Sequence, residues 1–300
     1  KHSMMENEQS WIPSRLRYLV RRFGSFFCVI GLAGLVGLTF TGCTTTHSSN
    51  SSISNTSSSL PVEVPSDLLT ESDEPDARKR ARLRLQLAAA YFDKGQASDA
   101  LDQLKLSIAA DPSLSDAYNL RGLVYMRLGR MELSEDSFRR ALAYTSNTAP
   151  ILHNLGWLLC QQQSRLREAI QFFGEALASP SYTEKSKTWM TQGLCQQRYG
   201  NAVEAEISFM KSYELDPNNP VSAYNLALLL FQSDNFVKSQ FYIRRLNNSS
   251  YANAESLWLG IKVERQLKNT EAMMQLASQL KKRFSDSREY AAFEKRLFNE

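Results

Sequence analysis

Tyr118-Asn119-Leu120-Arg121-Gly122-Leu123-Val124-Tyr125 runs on to Gly129, and Ser134-Glu135-Asp136-Ser137-Phe138-Arg139-Arg140-Ala141 follows directly. Two helix-compatible stretches separated by a glycine predict a helix–turn–helix unit. The unit recurs. Small residues stand at Ala88, Gly122, Gly156, Gly193, Ala227 and Gly260, in steps of 34, 34, 37, 34 and 33 residues. A second small column follows at Ala100, Ser134, Ala169, Ala205, Ser239 and Ala272, and a bulky one at Leu104, Phe138, Phe173, Phe209, Ile243 and Leu276. Small residues let paired helices approach, and a bulky residue fills the gap between them. Asp111-Pro112 and Asp216-Pro217 end the second helices of units one and four, because proline cannot continue a helix, and Pro180 does the same after unit three. The pattern covers residues 81–286, with a final helix expected near Arg288–Phe298.

A period near 34 with these columns resembles the tetratricopeptide repeat. The resemblance implies an all-α, right-handed superhelix of about six repeats with a C-terminal capping helix, occupying residues 78–300. First helices in such a stack line a concave groove that holds peptides or folded partners. In that family the second, fifth, ninth, twelfth and thirteenth positions of each unit face inward. Carried onto this chain, the fifth positions are Asn119, His153, Met190 and Tyr224. The ninth and twelfth add Met126, Trp157, Leu194, Leu228 and Phe231, and the thirteenth adds Arg127 and Arg198. Methionines, aromatics and a few arginines suit an interaction surface. The alternative for Trp157 and Phe231 is packing between helices.

The N-terminal region reads differently. Arg15, Arg17, Arg21 and Arg22 precede an uncharged run from Phe23 to Gly42. A basic stretch, an apolar stretch and small residues make the plan of a secretory signal over residues 1–42. Its apolar core, Phe26 to Phe40, is short for a bilayer span of ~20 residues. Cys43, directly after Thr41-Gly42, resembles the lipidated cysteine of a bacterial lipobox. With Thr44 rather than Asp behind it, the resemblance implies anchoring in the outer membrane, periplasmic face. Two or more acyl chains make such attachment stable. Residues 43–77 begin with a nearly pure Ser/Thr/Asn stretch and continue with Pro61, Pro65, Pro75 and acids, a composition that cannot bury a core. They are expected to form a flexible tether with an r.m.s. reach of about 30 Å and an extended span of roughly 110 Å.

Composition narrows the chemistry. Residues 1–42 hold five of the 35 Lys and Arg and two of the 31 Asp and Glu, so most of the formal +4 charge belongs to the leader. No basic stripe with interleaved aromatics remains, which argues against a nucleic-acid partner. Arg78-Lys79-Arg80, with Arg82 and Arg84, reads as the solvated face of a first helix. Three histidines occur, His2, His47 and His153, and only the last lies in the repeats. That excludes a multi-histidine metal site and leaves His153 as a hydrogen-bonding or groove residue. Phosphate-binding, zinc-protease and serine-hydrolase motifs are absent from the sequence, so no catalytic residue, cofactor, metal or small-molecule substrate is expected. Cys160 and Cys195 remain as an even pair in an oxidising compartment, on the first helices of neighbouring repeats. A disulfide needs Cα atoms about 4.4–6.8 Å apart. The alternative is two buried thiols.

One segment is more specific. His153-Asn154-Leu155-Gly156-Trp157-Leu158-Leu159-Cys160 carries an Asn-x-Gly-x-x-x-Cys pattern, and Ser181-Tyr182 and Gly193-Leu194-Cys195 follow in order. These resemble the signature of the PilW/PilF family of type IV pilus biogenesis lipoproteins. The resemblance implies a non-enzymatic pilotin that binds secretin subunits and promotes their localisation and multimerisation in the outer membrane. A generic periplasmic adaptor for cell-envelope or outer-membrane assembly is the other reading of the same repeats.

Overall fold

The computed structural model describes residues 75–298. The expected signal at 1–42, Cys43 and nearly all of the expected tether lie outside them. Among the described residues there are thirteen α-helices, one 3-10 turn and no strand. Repeat one is α1 (Asp76–Asp93) with α2 (Ala97–Ala110), and repeat two is α3 (Ser115–Arg127) with α4 (Met131–Leu142). Repeat three is α5 (Ala149–Leu159) with α6 (Leu166–Ala178), and repeat four is α7 (Lys185–Arg198) with α8 (Ala202–Leu215). Repeat five is α9 (Pro220–Gln232) with α10 (Phe236–Asn247), and repeat six is α11 (Ala254–Gln266) with α12 (Thr270–Phe284). The short α13 (Arg288–Glu294) closes the series.

The sequence columns meet as helix-pair contacts. A β-carbon on Gly122 would stand 2.5 Å from the Phe138 ring, one on Gly156 2.8 Å from Phe173, and one on Gly193 2.9 Å from Phe209. The three phenylalanines are completely buried, each stabilising its helix pair by the ~1.5–3 kcal/mol of a fully buried large side chain. The second small column contributes polar ties where it is serine. Ser134 Oγ donates to the Gly122 carbonyl and Ser239 Oγ to the Ala227 carbonyl, each at 2.7 Å. A hydroxyl can sit in these contacts because its hydrogen bond is made inside the protein.

The turn inside each unit follows the same period. Gly95, Gly129 and Gly200 have φ between 70 and 80°, the left-handed conformation that ends a helix at no steric cost for glycine. Asp234 and Lys268 take it in repeats five and six, at φ 59° and 56°. Repeat three departs from this and accounts for the 37-residue step. Its turn contains one extra residue and is wound as a 3-10 turn, Gln163–Arg165. The other two extra residues fall between Phe173 and Gly193, across α6, the connection after it and the start of α7. At the far end, α13 and Phe298 after it cover the last repeat. Trp258 stacks on Phe298, with ring centroids 5.3 Å apart, and meets Phe293 edge-on at 6.5 Å.

Candidate functional site: the inner face of the first helices

The first helices α3, α5, α7 and α9 place the expected groove residues in a row, one repeat after another. Met126 and Trp157 pack on the buried core shared by repeats two to four. Met190, Leu194, Tyr224, Leu228 and Phe231 pack on the core shared by repeats four to six. All seven are half-buried: one side of each is held by the core and the other is open. Asn119 is also half-buried, and its Oδ1 accepts a 3.0 Å hydrogen bond from Asn154 Nδ2 on the next first helix. Arg127 and Arg198 are exposed. The guanidinium of Arg127 lies 3.5 Å from the centre of the Phe92 ring, and that of Arg198 lies 5.3 Å from Trp157. Arg198 also donates to Gln161 Oε1 at 3.0 Å.

His153 is the exception. It is 6 % exposed, so its imidazole belongs to the interior and not to the groove surface. Its Nδ1 lies 2.8 Å from Thr188 Oγ1, which lies 2.8 Å from Tyr182 Oη, and its ring is 6.0 Å from that of Phe173. Thr188 can donate to one of these partners and accept from the other. Buried Tyr182, in the connection between α6 and α7, reaches the same hydroxyl. Burial pushes the His153 pKa down to about 4, with the Lys187 charge adding to the effect and Glu184 opposing it. The Tyr182–Thr188–His153 chain is not stated by the repeat period, although His153 and Tyr182 both lie in the segments that carry the family resemblance, because it depends on the contact of α5 with α7.

Cys160 and Cys195 are joined in a disulfide, with Cα atoms 5.9 Å apart, and both are completely buried. Tyr199 Oη donates to the Cys160 carbonyl at 2.8 Å. Helices α5 and α7 are therefore tied near one end through His153 and Thr188 and near the other through the disulfide and the Arg198–Gln161 bond. The centre of the inner face is a pair of cross-linked helices, a rigid mount for Trp157, Met190 and Leu194.

Among the described residues no three His, Cys, Asp or Glu side chains converge as a metal site, and no helix is long and apolar enough to cross a membrane. The buried carboxylate of Glu264 is spoken for structurally: Arg244 Nε donates to it at 2.6 Å and Gln240 at 2.9 Å. What the inner face offers is an apolar strip with polar and cationic edges, suited to holding another polypeptide.

Comparison with known proteins places this architecture. A tetratricopeptide-repeat family model matches residues 113–180. The type IV pilus assembly protein PilF of Pseudomonas aeruginosa (strain PAO1) is 30 % identical over 210 residues, which are 70 % of this chain and 83 % of that protein. The solved structure of Pseudomonas aeruginosa PilF is similar at a TM-score of 0.65, with 28 % identity, over 74 % of this chain and 100 % of its own. That of PilW, a widely conserved type IV pilus biogenesis factor, is similar at a TM-score of 0.61, with 26 % identity, over 71 % of this chain and 97 % of its own. With identity and coverage of this extent on top of the same all-helical repeats, the chain belongs to the PilF/PilW family of tetratricopeptide-repeat proteins.

Proposed function

We propose that this chain is a non-enzymatic scaffold of type IV pilus biogenesis, a pilotin that binds secretin subunits along the inner face and promotes their localisation and multimerisation. The observation that carries the reading is the strip of half-buried side chains from Met126 through Trp157, Met190 and Leu194 to Phe231, held open on consecutive first helices. Family membership directs it to the pilus system. Lipidation of Cys43 in the outer membrane completes the proposal. The Ser/Thr-rich residues after Cys43 would keep the repeats within reach of the membrane, and tethering raises effective concentration without any new contact.

The test is the state of the secretin in outer-membrane fractions of deletion and Cys43→Ala strains, read as heat-resistant multimer against monomer. Loss of multimer in the deletion strain, with mislocalised monomer in Cys43→Ala, supports the pilotin reading. Normal multimers in both strains would sink it and leave a general envelope adaptor. In a purified binding assay, Trp157→Ala is expected to weaken secretin capture by the ~1–3 kcal/mol of an interface anchor. Unchanged affinity in a folded variant removes Trp157 from the surface.

A further inference from the structure

The thirteenth position of the first helices carries a pattern that the apolar strip does not explain. From repeat two to repeat six it reads Arg127, Gln161, Arg198, Gln232, Arg265. Arginine returns in every second repeat, in the last turn of α3, α7 and α11, with glutamine between. Each guanidinium lies against an aromatic ring: Arg127 at 3.5 Å from the centre of Phe92, Arg198 at 5.3 Å from Trp157 and Arg265 at 4.0 Å from Phe298. All three arginines are exposed.

Their partners within the chain are neutral. Arg127 donates to the Phe92 carbonyl and Arg198 to Gln161. Several arginines elsewhere pair with carboxylates, as in Arg139 with Glu135, Arg140 with Asp136 and Arg244 with Glu264, whereas Arg84 and Arg283 have neutral partners in Gln103 and the Ala252 carbonyl. Among the described residues no salt bridge reaches Arg127, Arg198 or Arg265. Asp93 interacts with Arg127 at longer range, and Glu294 shares the cleft of Arg265 with two further cations, Lys268 and Arg296. Along the second, fifth, ninth and twelfth columns of repeats two to six the acids are Asp116 and Glu264, and Glu264 is buried against Arg244. The inner face of repeats two to six therefore has an apolar floor and one edge of arginines that make no salt bridge, with Asp93 at the same position of repeat one.

A last-turn arginine also interacts with its own helix C-terminus, but that applies to any helix and gives neither the alternation nor the aromatic seats. A guanidinium held against a ring is pre-organised, and its planar fork matches a carboxylate with two parallel hydrogen bonds. Packed helices lie about 8–10 Å apart, so alternate first helices are on the order of 20 Å apart. An extended chain covers that distance in about six residues.

We propose that the inner face takes an extended segment of the partner protein that is apolar towards the floor and presents carboxylates towards this edge, about six residues apart. The proposal rests on the reading of the inner face as the binding surface.

The test uses the full chain and three 18-residue synthetic peptides with identical apolar residues and Glu, Gln or Lys at every sixth position, followed by fluorescence anisotropy. The Glu peptide is expected to bind at least tenfold tighter than the Gln peptide, with the advantage shrinking as salt rises. Arg198→Gln with Arg265→Gln should remove that advantage, so that the Glu and Gln peptides bind the variant equally. Arg198→Lys with Arg265→Lys, which keeps the charge and loses the fork, should retain part of it. Arg198→Glu with Arg265→Glu should turn the preference towards the Lys peptide. Circular dichroism checks that each variant is folded. Equal affinity for all three peptides, lost together in Leu194→Ala with Phe231→Ala, overturns the acidic edge and leaves the groove standing. Absence of binding by every peptide overturns both.

Discussion

Single residues in this protein are constrained by what their repeat places opposite them, and two glycines show it. An alanine at Gly156 would put a carbon 2.8 Å from the Phe173 ring and 3.1 Å from the Ala169 carbonyl, against a phenylalanine that is completely buried. Gly156→Ala is expected to destabilise the fold by about 1–3 kcal/mol in urea unfolding, the usual cost of overpacking. Gly174, in α6, has nothing within 4 Å of the same added carbon. Gly174→Ala should stabilise by about 0.5–1 kcal/mol through the lower entropy of the unfolded chain. His153 makes a third case, this time in pH. Its pKa is lowered from 6.5 to about 4 in the folded protein, so between these values the unfolded chain binds the extra proton. Its stabilising contribution is complete above pH 6.5 and is lost as pH falls towards 4. Between pH 7 and 5 the native protein should lose about 2 kcal/mol more than His153→Gln, measured by urea midpoints at both pH values. Parallel pH curves for the two proteins would contradict the buried, neutral imidazole.

At the scale of elements, the unusual feature is the direct linkage of two first helices. In the other repeats a first helix is held mainly by its own second helix through the glycine–phenylalanine type of contact. Helices α5 and α7 are in addition bonded to each other by the Cys160–Cys195 disulfide, 35 residues apart in sequence. A cross-link closing a loop of that length stabilises by about 3–4 kcal/mol in the chain-entropy model. Cys160→Ser with Cys195→Ser is therefore expected to lower unfolding stability by about that amount. Reduction of the native protein should reproduce the loss, and an unchanged urea midpoint after reduction would count against the linkage. The same helices carry Trp157, Met190 and Leu194, so the loosened variant should also bind partner more weakly than its residual fold content suggests.

For the whole molecule, a linear array predicts a gradient of local stability, since each repeat touches only its neighbours. Helix α1 has two buried residues, α12 has two and α13 has none, whereas α5 has eight, α7 six, α9 seven and α11 eight, and only α5 and α7 are in addition joined by the disulfide. Backbone amides of α5 and α7 should be the slowest to exchange with deuterium, and those of α1 and α13 the fastest. Uniform protection along residues 75–298, or fastest exchange in repeats three and four, would contradict this account. A rigid centre with looser ends would suit the scaffold proposed above, with Trp157 and Leu194 as fixed anchors and end repeats that adjust to a partner.

Most of the fold was legible in the sequence because a repeat states its packing rules several times over. Ala88, Gly122, Gly156, Gly193, Ala227 and Gly260 announce close helix approach six times. Leu104, Phe138, Phe173, Phe209 and Ile243 announce what fills the gap, and all five are completely buried. The prolines at 112, 180 and 217 lie in connections between repeats, after the second helices have ended. The row of half-buried side chains on successive first helices was legible for the same reason, as fixed columns of a period. Only the tertiary structure decided the rest. The period places His153 on the inner face, yet its hydrogen-bond partner is Thr188, itself bonded to Tyr182, and the sequence does not state the approach of α7 that brings them together. Spacing made a Cys160–Cys195 bridge conceivable, but two thiols and one disulfide fit the same spacing, and the distance between α5 and α7 chooses between them. Arg265 stood in the arginine column all along. Its seat against Phe298, 33 residues later, is a contact only the tertiary structure makes. Sequence determines what repeats along the chain, because local packing is governed by local spacing; contacts across repeats depend on how helices stack in three dimensions.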